Sequence, residues 1–372
     1  MVDFRIANLA RVMTEYSVGI RPGDRVAIMG GAAGAPLIRE VYREVLLRGG
    51  HPVTMVDVPG ILPIFFRTAS EEQLRFVSPV KKLVYETFDV RIYIESESNT
   101  RELTGVDPAR QAIFAEANGG LLETLLDRSA RGEMRWVVGL FPTDAAAQDA
   151  EMSLEEYEDF VYGACLLNDP DPVASWRRVR ERQQVLVDWL QDKKEIRIVG
   201  PDTDLRVGVA GRTWINCFGD NNMPDGEVFT GPVEAEVNGT VQFSYPAIYE
   251  GREVEDVRLW FENGVAVKWS AAKNEPFLAK MLNTDEGARR VGEFAFGTNF
   301  GIQRFVKNLL FDEKIGGTMH MAMGAGYPES GSTNRSGIHW DMVCDLRPGS
   351  EITVDGQLFA KDGKYLLMAD GE

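Results

Sequence analysis

The chain has only three histidines, and two of them, His320 and His339, lie close together near the C-terminus. His339 belongs to the segment GIHWDMV (residues 337–343), whose pattern predicts a β-strand. Because side chains alternate across a strand, His339 and Asp341 would project from one face and Trp340 from the other. An imidazole and a carboxylate at this spacing form a compact pair of metal ligands. They fit an ordinary buried hydrogen-bonded pair equally well.

His320 lies in TMHMAM (residues 318–323), where the same alternation separates it from three methionines. The methionines are most simply core residues, since their flexible side chains fill irregular gaps. His320 would then face away from the core, just before a glycine-rich loop and Tyr327. A purely structural histidine is the alternative, but the arrangement resembles the wall of a site.

Two glutamates also open predicted strands. Glu293 begins EFAFG (residues 293–297) and shares a face with Ala295, away from the phenylalanines, while Glu227 follows a Pro-Asp-Gly turn. Taken singly, either would be a solvated acid among the 57 acidic residues. The combined set matches the donors of a dinuclear Zn, Co or Mn site. Its members are Glu227, Glu293, His320, His339 and Asp341.

The first half of the chain alternates predicted strands and helices. Strands are predicted over residues 25–29, 53–56, 90–94 and 135–140, and helices over residues 9–16, 36–48, 154–165 and 172–192. A strand–helix–strand order implies parallel pairing through a right-handed crossover. We therefore expect an α/β N-terminal domain with a mostly parallel sheet, covering residues 1–195.

A glycine-rich loop follows the first strand, as in dinucleotide-binding folds. The spacing does not match, because a GxGxxG motif ending at Gly34 would need a glycine where Met29 stands. The favoured interpretation is a strand-to-helix turn that needs small residues for close packing.

The second half is rich in strands, predicted over residues 196–199, 205–209, 228–229, 240–245, 257–261 and 265–269. Asn238-Gly239 and Asn263-Gly264 are strong two-residue hairpin signals, and a short helix is predicted over residues 285–291. We expect a strand-rich α+β C-terminal catalytic domain, residues 196–372, which carries the metal-binding residues.

Composition and sequence pattern argue against several classes of protein. The 372 residues carry a net charge of −17 and no basic stripe, so nucleic acid is not an expected partner. No apolar stretch approaches the ~18 residues of a membrane span. The start of the chain lacks the pattern of a signal peptide. Three widely spaced cysteines indicate reduced thiols, and a cytoplasmic location is expected.

At the five candidate ligand residues the chain resembles peptidase family M29, the thermophilic-type metalloaminopeptidases of the aminopeptidase T and aminopeptidase S group. The resemblance extends over nearly the whole chain, and its most specific motifs are MPDGEVFT (residues 223–230) and HWD (residues 339–341). Further matching segments are residues 8–11, 36–39, 99–103, 200–205 and 292–293, together with the spacing of His320 and Tyr327.

The resemblance implies metal ligands at Glu227, Glu293, His320, His339 and Asp341, and a catalytic tyrosine at Tyr327. It also implies two divalent ions (Zn, Co, Mn or Mg), peptide substrates with a free N-terminus, and a homodimer. The segment between His320 and His339 is shorter than expected for the family's peptidases. Because this segment should border the active site, it bears on substrate choice.

Two alternatives come from other classes. The same superfamily includes a ring-cleaving dioxygenase that uses non-haem Fe(II), for which His320, His339 and Asp341 could form the ligand triad. Retention of Glu227 and Glu293 favours the two-metal hydrolase, since a single iron does not need them. A pure binding protein, in which these acids are merely solvated, is the second alternative. The presence of rare histidines with acids on strand faces argues against it.

Overall fold

The computed structural model describes residues 3–249 and 251–368, and they form two compact units. The first unit contains the residues up to Trp176 together with residues 219–224. The second begins at Arg177 and contains residues 177–218 and the chain from Asp225 onward. The division thus falls inside a helix, upstream of the domain boundary predicted at residue 195.

The helices, in chain order, are α1 (Phe4–Arg11), α2 (Ala35–Leu47), α3 (Ile61–Thr68), α4 (Glu71–Leu74), α5 (Pro79–Thr87), α6 (Pro108–Ala130), α7 (Asp144–Asp149), α8 (Leu154–Ala164), α9 (Pro172–Leu190), α10 (Glu275–Leu282) and α11 (Leu309–Asp312). A π-helical turn, Val12–Ser17, extends α1. No helix in the described residues is long and apolar enough to span a bilayer.

The strands of the first unit are β1 (Arg25–Gly31), β2 (His51–Asp57), β3 (Val90–Glu95), β4 (Arg135–Leu140) and, from later in the chain, β8 (Asn222–Met223). They form one parallel sheet in the order β2-β1-β3-β4-β8. The predicted parallel α/β architecture is therefore confirmed. At the β1–α2 turn, a Cβ on Gly34 would lie 2.8 Å from Ser96 Oγ, which explains the small residue there.

The strands of the second unit are β5 (Glu195–Gly200), β6 (Thr203–Gly208), β7 (Ile215–Cys217), β9 (Glu227–Thr230), β10 (Val237–Gln242), β11 (Ala247–Tyr249), β12 (Arg252–Val254), β13 (Arg258–Glu262), β14 (Val265–Ser270), β15 (Val291–Gly297), β16 (Thr318–Gly324), β17 (His339–Asp345), β18 (Glu351–Val354), β19 (Gln357–Lys361) and β20 (Lys364–Tyr365).

Two antiparallel sheets dominate this second unit. One has the order β14-β13-β10-β6-β5-β18-β19-β20, and the other has the order β17-β16-β15-β9-β7. One hydrophobic core takes buried side chains from both sheets and from α9. It includes Met319, Met321 and Met323, as the alternation along β16 predicts. The strand-rich α+β prediction is confirmed.

Three local predictions can be compared directly with the structure. Asn263 and Gly264 both have positive φ and join β13 to β14, so this hairpin is confirmed. The hairpin predicted at Asn238-Gly239 is wrong, because both residues lie inside β10, where both pair with β6 and Gly239 also pairs with β13. The helix predicted over residues 285–291 is also wrong. Only the 3-10 turn Gly287–Arg289 forms there, since Val291 already begins β15.

Candidate metal centre

All five predicted ligand residues lie on four adjacent strands of the five-stranded antiparallel sheet in the second unit. Glu227 is on β9, Glu293 on β15, His320 on β16, and His339 and Asp341 on β17. These side chains project from the face opposite the methionine and tryptophan side chains that enter the core. The sheet therefore brings together residues that are up to 114 positions apart (341 minus 227) in the sequence.

On at least one side, each of these residues has a glycine or an alanine directly across from it, although His320 also pairs with Val343 and Glu227 with Cys217. Gly297 pairs with Glu227, Ala295 with His320, and Gly324 with His339. Ala322 pairs with Glu293 on one side and Asp341 on the other. Large side chains at these registers would fill the space above the sheet, so the small residues leave a volume bordered by donor atoms.

Glu293 lies between the two histidines and presents one oxygen to each. His320 Nε2 is 3.4 Å from Glu293 Oε1, and His339 Nε2 is 3.3 Å from Glu293 Oε2. On the outer sides, His320 Nε2 lies 3.4 Å from Glu227 Oε2, and His339 Nε2 lies 3.5 Å from Asp341 Oδ2. The five residues thus form a continuous row of alternating carboxylates and imidazoles.

Backbone carbonyls fix the orientation of both imidazoles. His320 Nδ1 is 2.9 Å from the carbonyl oxygen of Glu313, and His339 Nδ1 is 2.7 Å from that of Ala325. A carbonyl only accepts hydrogen bonds, so Nδ1 carries the proton in both rings. Nε2 is therefore the atom each histidine offers to a cation, the arrangement typical of metal-binding histidines.

Burial and mutual contact shift the pKa of every group in the row. Burial would lower the pKa of His320, but the Glu293 and Glu227 carboxylates raise it to about 10, and Glu293 and Asp341 likewise raise that of His339 to about 9. Burial raises the pKa of Glu227 and of Asp341. Burial would also raise the pKa of Glu293, but its contacts with both histidines lower it. Without a cation, the protein compensates its buried carboxylates with protons on the histidines.

The donor set fits divalent cations. The described residues contain four groups of three whose donor atoms all lie within 4.8 Å of one another, and two of these groups consist of row residues alone: Glu227 with Glu293 and His320, and Glu293 with His339 and Asp341. Glu227 Oε2 and Asp341 Oδ1 are buried without a hydrogen-bond partner in the described residues. Buried oxygens of this kind are costly unless something positively charged meets them. Carboxylate and imidazole donors suit Zn, Co and Mn.

Tyr327 follows β16 and lies over this row. Its ring centroid is 5.2 Å from that of His339, in an edge-on contact, and 5.5 Å from that of Phe229. The residue is 42% exposed, so solvent and substrate can reach it. Burial of part of the side chain, together with the nearby carboxylates, raises the pKa of the phenol. The hydroxyl therefore remains a hydrogen-bond donor.

Sequence reasoning missed Lys314 and Glu313. The Lys314 side chain is fully buried, lies 3.7 Å from Glu227 Oε1, and forms an ion pair with Glu313. A lysine is ordinarily exposed, and nothing in the pattern around residue 314 marks it as buried. The one available signal is its position just before the strand that carries His320.

The family model described as thermophilic metalloprotease (M29) matches residues 2–372. The chain belongs to this family. It is 28% identical to aminopeptidase 2 of Geobacillus stearothermophilus, over 95% of this chain and 94% of that one. This M29 protein is therefore an enzyme of the hydrolase class, and the match confirms the family resemblance that the sequence indicated.

Two solved structures share the fold. Wild-type AmpT from Thermus thermophilus has a TM-score of 0.84 at 23% identity, covering 97% of this chain and 99% of that one. The 2,5-dihydroxypyridine dioxygenase of Pseudomonas putida KT2440 has a TM-score of 0.60 at 11% identity, covering 98% of each chain. At these identities the likeness concerns the fold alone.

Proposed function

We propose that this M29 protein is an aminopeptidase that holds two divalent cations and removes N-terminal residues from peptides. The observation that carries the proposal is the pair of donor groups that share Glu293. Glu227, Glu293 and His320 would hold one cation, and Glu293, His339 and Asp341 the other. Zn, Co, Mn and Mg are the candidate ions.

When bound, such cations supply Lewis-acid polarisation of a peptide carbonyl and activation of water at neutral pH. The protein residues determine where this chemistry takes place. The carbonyls of Glu313 and Ala325 hold Nδ1 of the two histidines, so that both Nε2 atoms point into the row. Glu293 keeps the two halves of the site at a fixed separation, because one of its oxygens lies against each histidine.

Tyr327 would donate its phenolic hydrogen bond to the oxyanion that develops on the scissile carbonyl. Its ring is held by Phe229 and His339, and its hydroxyl remains protonated because the pKa of the phenol is raised. A donor directed at a developing charge stabilises the transition state more than the substrate.

The substrates would be peptides with a free N-terminus. A free amino group offers a lone pair that an open coordination position of one cation could take. An acetylated nitrogen offers no such lone pair, so N-acetylated peptides are expected to be poor substrates.

The distribution of histidines speaks against the dioxygenase alternative. A mononuclear iron triad of His320, His339 and Asp341 needs all three donors around one point. Among the described residues, each metal-compatible group of three contains at most one histidine. Both histidines also lie against Glu293, a carboxylate that the iron triad would not use.

The test is hydrolysis of a panel of amino-acid p-nitroanilides by chelator-stripped protein, with and without added Co(II), Zn(II), Mn(II) or Mg(II). Metal-restored release from unblocked substrates, and none from their N-acetylated forms, is the expected result. Consumption of oxygen with Fe(II) and a dihydroxypyridine, with no peptidase activity, would instead support the dioxygenase. Neither activity, in protein that retains no metal, would support the binding-protein class.

We further propose a cytoplasmic homodimer that does not bind nucleic acid. The net charge of −17 opposes binding to phosphates. Seven apolar side chains on α3, α5 and α6 are each at least 42% exposed, which supports a surface that a second copy of the chain covers. They are Ile61, Leu62, Ile64, Val80, Leu83, Leu122 and Leu126.

A further inference from the structure

A buried lysine lies directly behind the metal centre. Lys314 occupies the connection between α11 and β16, and its side chain has no exposed surface. Its backbone is fixed at both ends, because its amide donates to Phe311 at 3.0 Å and its carbonyl accepts from Asn299 at 3.0 Å. A buried ammonium is costly unless paired, so its position needs a reason.

The contacts of Lys314 make the two oxygens of Glu227 inequivalent. Lys314 Nζ is 3.7 Å from Oε1. The other oxygen, Oε2, lies 3.4 Å from His320 Nε2 and has no hydrogen-bond partner in the described chain. One oxygen therefore faces a permanent positive charge, while the other faces the donor row.

The neighbouring residue acts on the same donor group. The carbonyl of Glu313 accepts from His320 Nδ1, and the carboxylate of Glu313 forms an ion pair with Lys314. Residues 313 and 314 thus contact both Glu227 and His320, two of the three residues in one group. The polar contacts of His339 in the described chain are instead with Glu293, Asp341 and Ala325. Glu313 also has a donor atom within 4.8 Å of donor atoms of His320 and Asp341, whereas the metal-ligand contact of Lys314 is with Glu227.

We propose that Lys314 is a positioning residue, which holds Oε1 of Glu227 so that Oε2 is directed to the cation shared with His320. A protonated lysine has three donors and no acceptor, so it orients the carboxylate without competing as a ligand. The inference rests on the proposed two-cation function and names the residue that orients a ligand of one of the two cations.

The experiment titrates chelator-stripped protein with Co(II), following the visible absorption spectrum and the number of ions bound per chain. Wild type is compared with Lys314→Met and with Lys361→Met, a control that removes an exposed lysine paired with Glu351. We expect Lys314→Met to weaken one of the two binding steps by about 10-fold to 100-fold, the usual effect of removing a group that orients a ligand. Its spectrum should change for that step alone, and Lys361→Met should match wild type.

Two unchanged binding constants and an unchanged spectrum in Lys314→Met would overturn the inference and leave the proposed function intact. Wild-type protein that binds fewer than two ions would instead overturn the two-cation function, and the inference with it. Circular dichroism of each metal-free variant checks folding. If Lys314→Met does not fold, Lys314→Gln, which keeps a polar group beside Glu227, takes its place with the same expected loss. Lys314→Arg, which keeps the charge, should recover part of the affinity.

Discussion

At the level of single residues, hydrogen bonds to the backbone fix which ring nitrogen each histidine presents to the metal centre. The carbonyls of Glu313 and Ala325 hold the Nδ1 atoms, so both imidazoles present Nε2 to Glu293. Tyr327 differs from the five row residues because its ring packs on His339 and its hydroxyl is assigned to the substrate and not to a cation. This difference predicts that the tyrosine and the histidines respond differently to substitution.

Tyr327→Phe keeps the ring contacts with Phe229 and His339 and removes only the hydroxyl. We expect kcat to fall by about 100-fold or more, with KM and metal content unchanged, because the lost hydrogen bond acts in the transition state. Steady-state kinetics with elemental analysis measures both quantities. Tyr42→Phe, on α2, is the matched control. A Tyr327→Phe enzyme with full activity would remove this residue from the mechanism.

His339→Ala should lose the cation held with Glu293 and Asp341. The substitution removes one of three donors and takes away the imidazole that lies 3.5 Å from Asp341 Oδ2. Elemental analysis after dialysis should give at most one ion per chain. His51→Ala, which changes the histidine outside the row, should keep two. Full metal occupancy in His339→Ala would contradict the ligand assignment.

At the level of secondary-structure elements, the face of β15 that reaches the site depends on a bulge. Val291 pairs with Met323, whereas Glu293 pairs with Ala322, so residues 292 and 293 together oppose a single residue of β16. Without this irregularity, Val291 and Glu293 would share a face. With it, Val291 enters the core and Glu293 joins the donor row.

Ala322→Leu tests the requirement for small residues on β16. Ala322 pairs with both Glu293 and Asp341, so a leucine there would occupy the space between two ligands. We expect reduced binding of the cation at His339, together with an overpacking cost of about 1–3 kcal/mol in unfolding free energy. Met321→Leu, on the core face of the same strand, should bind metal normally. Equal metal content in both variants would show that metal binding does not need a small residue at position 322.

At the level of the whole molecule, the metal centre links stability to pH. The raised pKa values of His320 and His339, about 10 and 9, mean that the imidazolium forms stabilise the cation-free fold. That contribution is complete below pH ~6.5, the ordinary histidine pKa, and is lost as pH rises through the raised values. Burial of Glu227 raises its pKa, so its ionisation destabilises the fold in the same direction.

We therefore expect the melting temperature of chelator-stripped protein to fall between about pH 7 and pH 10. Zn(II)-loaded protein should lose less over the same range, because bound cations replace the protons on both Nε2 atoms. Differential scanning calorimetry of the two forms gives the comparison, and the loaded form controls for titration elsewhere in the chain. A constant difference between the two forms across this range would contradict the linkage.

The exposed apolar side chains of α3, α5 and α6 predict a dimer in which a second copy of the chain covers them. Leu122 and Leu126 are one helical turn apart on α6, so substituting both with Glu places two charges on one face. We expect light scattering to give twice the chain mass for wild type and the single mass for this double variant. Leu47→Glu, at an exposed site on α2, is the control. A monomeric wild type would refute the dimer.

Local periodicity and residue type were enough to predict much of this protein from its sequence. They predicted the parallel first half, the strand-rich second half, the face of β16 that carries His320, and the five candidate ligands. Alternation along a strand is a local property, so each side chain could be assigned a face without knowing its partner strand. The Asn263-Gly264 hairpin was predictable for the same reason, since its turn needs only two positive φ values.

The order and register of the strands, in contrast, are properties of the tertiary structure alone. That order places Glu293 between the two histidines, puts glycine and alanine opposite the ligands, and carries Lys314 beneath Glu227. It also placed Asn238-Gly239 inside a strand, where pairing with β6 and β13 outweighed the turn preference. These outcomes depend on contacts between distant segments, whose energies no short window of sequence contains.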